Sequence, residues 1–208
     1  MFDFLLGPSK RDVWTSVAEE IGGGYAEGGF WKRDYLIKKH QAWQLVMDSY
    51  TVSSNSGSRH SSTRYTRLRL PFKNPAGFRF QVYTASIFAP LGELFGMQNI
   101  DIGDSKFDDQ MVVKGYRTSD IQEQLNHDSI YDKFLKFHYI RLTVDEERGF
   151  FTSRFPEGVT QLKLTLRGIL RDPERIKTLF LLATFLIERM VQLDLASPES
   201  PEIDLTQF

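Results

Sequence analysis

The chain has 208 residues and no cysteine, which excludes disulfides, thiolate metal sites and cysteine nucleophiles, and at this length a core can form without a covalent staple. Its 26 basic and 27 acidic residues leave a formal net charge of −1, so no whole-molecule field draws it to nucleic acid or membrane and any such attraction must be local. The opening MFDFLLGPSKRD lacks the basic leader and long apolar core of a secretory signal. The longest apolar run, Leu179 to Ile187 with Thr184 inside it, falls far short of the ~20 residues a membrane-spanning helix needs. A soluble protein with no transmembrane segment is predicted, and the lack of cysteine points to the cytoplasm.

In chain order, Ser9 followed by Asp12 marks a helix start, and Val13, Trp14, Val17, Ala18 and Ile21 line one face of a helix over 9–21 that ends at Gly22-Gly23-Gly24. Residues 33–40 and 42–52 read as strands. The following SSNSGSRHSS, Ser53 to Ser62, holds no apolar residue and reads as a solvated loop. Residues 64–72 and 78–85 alternate, and with the Asn74-Pro75-Ala76-Gly77 turn between them they complete a predicted four-stranded meander. Residues 90–95 suit a short helical turn, and 99–109 an acidic loop. A buried strand is expected over 107–116. From Thr118 a helical stripe runs through Ile121, Leu125, Ile130, Tyr131, Phe134 and Leu135, with a break near His127-Asp128. Strands return at 138–144 and 162–168. Asp172-Pro173-Glu174 opens a long helix, about 173–194, with a capping Asp, an early proline and an acid at the positive end of the dipole. Its apolar stripe is wider than one face because of Leu181, Leu182, Phe185 and Leu186, which predicts burial on two sides or a homodimer through this helix. The tail from 196 to 208, rich in proline and acid, is expected to be disordered.

These elements predict an α+β fold: a largely antiparallel sheet of about seven or eight strands, helices packed on one face, and the long C-terminal helix. The core would be one domain over 1–195. The order of elements in 1–100 and 101–195 is similar, which also fits an internal duplication of a sheet-plus-helix unit.

The stretch FDDQMVVKGY, Phe107 to Tyr116, resembles a phrase like "FD..FVIKGND" of a group of uncharacterised bacterial proteins. The likeness extends to Tyr65-Thr66-Arg67, to 96–104, to 162–168 and to the final helix. Tyr116-Arg117 stands where the group has Asn-Asp or Asn-Glu. The resemblance implies a bacterial source and a domain of unknown function, and it hands over no site residues.

Chemistry-bearing motifs are sparse. His40, His60, His127 and His138 sit at no metal-ligand spacing, and Asp101, Asp104, Asp108 and Asp109 lack the spacing of a calcium loop. The glycines at 22–24 and 28–29 follow a helix and precede a strand, whereas phosphate-cradling loops run from strand to helix. Ser53–Ser62 beside His60 has no nucleophile elbow. No catalytic residue, metal or cofactor is therefore assigned. One asymmetry remains: Arg59, Arg64, Arg67, Arg69, Lys73 and Arg79 occupy a stretch, 49–92, without Asp or Glu. Strand parity places Tyr65, Arg67, Arg69, Arg79, Tyr83, Tyr139, Arg141, Lys163 and Arg167 on the sheet face away from the helices. Such a face suits a polyanion, or it is a wet surface whose charges pair across strands with acids such as Asp48. The leading expectation is a binding or interaction domain. The alternatives are an enzyme with a site of dispersed polar residues and a self-assembling structural protein.

Overall fold

The computed structural model describes residues 8–29, 33–56, 59–86, 97–146 and 155–207. Helix α1, Lys10–Glu20, starts at a reciprocal cap. Asp12 N–H donates to Ser9 Oγ at 3.2 Å, and Ser9 N–H donates to the Asp12 carboxylate at 3.0 Å. Its inner face buries Val13, Trp14, Val17 and Ala18, and the Trp14 indole N–H donates to Leu170 O at 2.8 Å. The chain leaves through Gly22, at φ 68°, into strand β1, Gly24–Ala26, beside β2, Tyr35–His40. Only glycine fits at 23, because an added Cβ would overlap the backbone carbonyl of Ile37.

Asp34 ties this end of the chain together. It accepts from Lys10 Nζ at 2.9 Å and from Gly28 N–H at 2.8 Å. Partial burial pushes its carboxyl up, but those two hydrogen bonds outweigh it and hold the carboxyl below its ordinary range. A depressed carboxyl stabilises the fold above its unfolded pKa and loses that contribution as pH falls through the folded value. Asp34→Asn is therefore expected to be less stable than the native chain at neutral pH, with the difference closing below about pH 4. Denaturant melts at both pH values check this, and a gap that persists in acid would show that the carboxylate charge is not its source.

Strands β3, Trp43–Ser56, and β4, Arg59–Lys73, form one long hairpin, paired from Val46↔Arg69 out to Ser56↔Arg59. The expected loop at 53–62 is thus mostly strand, with Ser53↔Ser62, Ser54↔Ser61 and Asn55↔His60 in register. Backbone pairing needs no apolar face when the partner strand follows directly, so a wholly polar sequence extends the ribbon. The remaining strands are β5, Phe80–Thr84; β6, Gln98–Asn99; β7, Met111–Gly115; β8, Ile140–Asp145; and β9, Val159–Arg167. Among the described residues the sheet has nine strands, all antiparallel to their neighbours, in the order β1-β2-β3-β4-β9-β8-β5-β7-β6.

The four-stranded meander is corrected by this order. β4 takes β9 as its partner along Tyr65↔Arg167 to Lys73↔Val159, while β5 lies between β8 and β7. The turn at Asn74 is bound to β9 and its approach: Asn74 N–H donates to Gly158 O at 2.8 Å, and Asn74 Nδ2 donates to Thr160 Oγ1 at 3.0 Å. From there residues 74–79 reach β5 over about 14 Å, three strand spacings, within the roughly 20 Å that six extended residues span. Strands of 1–100 and 101–195 therefore share one continuous sheet.

One face of the sheet is apolar. Leu45, Met47, Leu68, Leu70, Val82, Ile140, Leu142, Leu162 and Leu164 are buried there. Helix α5, Pro173–Gln192, lies against β4 and β9, with α1, α3 (Thr118–Leu125) and α4 (Asp128–Leu135) beside it. Its wide stripe is accounted for in part by this enclosure, since Leu182 and Leu186 are buried while Leu181 is 55% exposed and Phe185 half-buried. α3 and α4 are separate helices because the His127 ring accepts from Ser129 N–H at 3.2 Å and caps the second. Phe107 belongs not to the strand but to a helical turn, α2, Ser105–Asp108, capped by Asp104. The expected turn at 90–95 lies outside the described residues.

The opposite face is partly covered, which corrects the expectation of a disordered tail. Ser197 N–H donates to Lys73 O at 3.0 Å, Leu205 N–H donates to Gln44 Oε1 at 2.9 Å, and residues 205–207 make a short 3-10 turn. Leu205 is buried with Val46, Phe155 and Val159 in a second apolar cluster. Val46 points away from the helices, and the few apolar residues of the tail cover it.

Candidate anion-binding pocket

The register brings most of the expected polar face together. Tyr65, Arg67 and Arg69 on β4 stand opposite Arg167, Thr165 and Lys163 on β9, and Arg141 on β8 stands between Thr165 and Tyr83. The face is not an open wet surface, however. Asp48 is buried and takes a bidentate fork from Arg67, Nε at 2.6 Å and Nη2 at 2.8 Å, and a third bond from the buried Arg69 at 3.3 Å. The Arg67 guanidinium also lies 5.1 Å from the Tyr50 ring, which stacks on Tyr65 at 5.4 Å. Burial pushes the Tyr50 hydroxyl pKa up, against the pull of Arg67. Arg141 donates to the buried Gln81 at 3.2 Å, Tyr83 is buried, and Arg79, just before β5, pairs with Asp145 and Glu146. Arg67, Arg69 and Arg79 are thus neutralised at least in part by the protein's own carboxylates.

Arg167 is placed differently. It ends β9, is exposed, and has no carboxylate partner among the described residues. The connection that follows is pinned on both sides. Gly168, at φ 90°, donates through its N–H to Arg64 O at 2.8 Å and accepts from Thr66 Oγ1 at 2.8 Å. That hydroxyl in turn accepts from Leu170 N–H at 2.9 Å. Asp172 then caps α5 by accepting from Arg175 N–H at 2.9 Å. A half-open pocket of about 480 Å³ lies over this strand-to-helix connection, walled by Leu166, Ile169 and Leu170 and by Ser86, His138 and Tyr139. Its cationic side chains are Arg167, Arg171 and Arg175.

Arg171 and Arg175 likewise have no ion pair among the described residues. The Arg175 guanidinium sits 5.3 Å from the Phe137 ring, and its buried Nε has no hydrogen-bond partner. Against these guanidiniums the pocket sets one carboxylate, Asp172, already engaged as a helix cap. The three guanidiniums less this carboxylate leave two positive charges. Guanidinium forks that no carboxylate occupies can hold phosphate or carboxylate oxygens in bidentate fashion.

Of the residues expected on the polar face, Arg167 and Tyr139 line this pocket, while Arg67, Arg69, Arg79, Arg141, Lys163, Tyr65 and Tyr83 are not among its lining residues. Sequence reasoning missed Arg171 and Arg175. The available signal was a basic strand-to-helix connection, the order that anion-binding loops follow. Elsewhere, Asp104 and Asp108 serve the backbone, with Asp108 accepting from Ile102 N–H at 3.0 Å and Gly103 N–H at 2.9 Å. His40 pairs with Glu188 at 2.7 Å. Among the described residues no group of three or more His, Asp or Glu is placed to hold a metal ion, and no helix is long and apolar enough to cross a membrane. No protein-family model, curated protein or solved structure matches this chain.

Proposed function

We propose that this chain is a cytoplasmic binding domain rather than an enzyme, and that its ligand is a small multiply charged anion held by Arg167, Arg171 and Arg175. The observation that carries this reading is the convergence of guanidiniums without carboxylate partners among the described residues on one pocket. Guanidiniums hold negative charge in place, and the pocket volume, about 480 Å³, falls in the range of small-ligand sites. The cytoplasmic setting rests on the cysteine-free sequence.

The test is inorganic phosphate, titrated by calorimetry into the native chain and into Arg171→Gln with Arg175→Gln, at low and high sodium chloride. Glutamine keeps part of each side chain's packing and removes its charge. Native binding that weakens as salt rises, and at least about tenfold weaker binding in the double variant, is expected. Equal binding by both proteins, or none by the native chain, would overturn the reading.

A further inference from the structure

The pocket is larger than an inorganic anion requires, and its walls are not uniform. Leu166, Ile169 and Leu170 are apolar, and the aromatic Tyr139, which also lines the pocket, is 48% exposed. A ligand that was only charge would leave these surfaces unused. The charge balance narrows the choice further. The pocket's guanidiniums, less the Asp172 carboxylate, leave two positive charges, and a phosphate monoester carries about −1.5 to −2 at neutral pH. A lone carboxylate would leave half of that unmatched.

Resting on the anion-pocket reading, we infer that the ligand is a mononucleotide: Arg171 and Arg175 take its phosphate, and its base stacks on Tyr139 beside the apolar wall. In the first turn of α5 Pro173 has no N–H and Asp172 occupies the N–H of Arg175, so the proposal rests on the guanidinium side chains. Arg175 is held in place by its packing over Phe137, and its buried Nε is an unused donor. Base-on-aromatic stacking tolerates any base, so discrimination is expected between nucleotide and bare phosphate rather than among bases.

Four probes decide this on the full chain by calorimetry: inorganic phosphate, ribose phosphate, adenosine monophosphate and adenosine. Adenosine monophosphate is expected to bind at least about tenfold more tightly than phosphate or ribose phosphate. Tyr139→Ala should abolish that advantage while changing phosphate and ribose phosphate affinities far less, and Tyr139→Phe should keep it. Because Tyr139 is half exposed, a near-native melting temperature is expected for both variants. An equal affinity for adenosine monophosphate and ribose phosphate, or an advantage that survives Tyr139→Ala, overturns the nucleotide inference and leaves the anion pocket standing. Failure of all the phosphate probes to bind overturns both.

Discussion

Leu179→Ala is expected to lower the unfolding free energy by about 2–5 kcal/mol, the range for deleting a fully buried leucine whose neighbours relax only in part. Leu179 is 0% exposed, on the face of α5 that belongs to the main apolar cluster. α5 packs on β4 and β9 and also meets α1, α3 and α4, so a cavity at its centre has rigid walls on both sides. Leu181 on the same helix is 55% exposed, and its truncation is expected to change stability by no more than about 0.5 kcal/mol. Paired denaturant melts of the two variants read this difference directly. Similar losses for both would mean that α5 does not present the 179 side to the sheet.

The second large effect is expected at Asp48. Its side chain is 5% exposed and accepts from both Arg67 and Arg69. Asp48→Asn removes the charge that both guanidiniums share inside a low-dielectric region, and breaking a buried ion pair from one side costs about 3–5 kcal/mol. Salt provides the second readout. A buried pair is screened far less than an exposed one, so the stability difference is expected to persist at high ionic strength. A loss below about 1 kcal/mol, or one that disappears with salt, would mean that water reaches Asp48 and that this face is an ordinary wet surface. The ion pairs show how part of the basic charge in the acid-free stretch 49–92 is neutralised: Asp48 lies just before it, Asp145 and Glu146 reach Arg79 from β8 and the residue beyond it, and Glu199 pairs with Lys73.

Several features were legible from residues close together in the chain. Ser9 with Asp12, and Asp172 with Pro173, announced the starts of α1 and α5 because a cap is completed within three residues. The alternation at 140–144 and 162–166 announced which side chains face the helices, since successive residues of a strand point to opposite sides. Asn74 shows the limit of such reading. Its turn was visible, but its bonds to Gly158 and Thr160 were not, and those bonds mark the turn as the start of a crossing rather than of a hairpin.

The sequence by itself determined the α+β class, the boundaries of α1 and α5 to within a few residues, and the parity that separates Leu68 and Leu70 from Arg67 and Arg69. All of these follow from caps and periods written within a few residues of chain. Only the tertiary structure decided that β9 and β8 separate β4 from β5, that the tail covers Val46, and that Arg171 and Arg175 share a pocket with Arg167 and Tyr139. A period of two states which way a side chain points, but it does not state which strand lies alongside. That choice is made by backbone hydrogen bonds and apolar burial between residues distant in the chain, and a pocket assembled from several strand ends and a helix start inherits it.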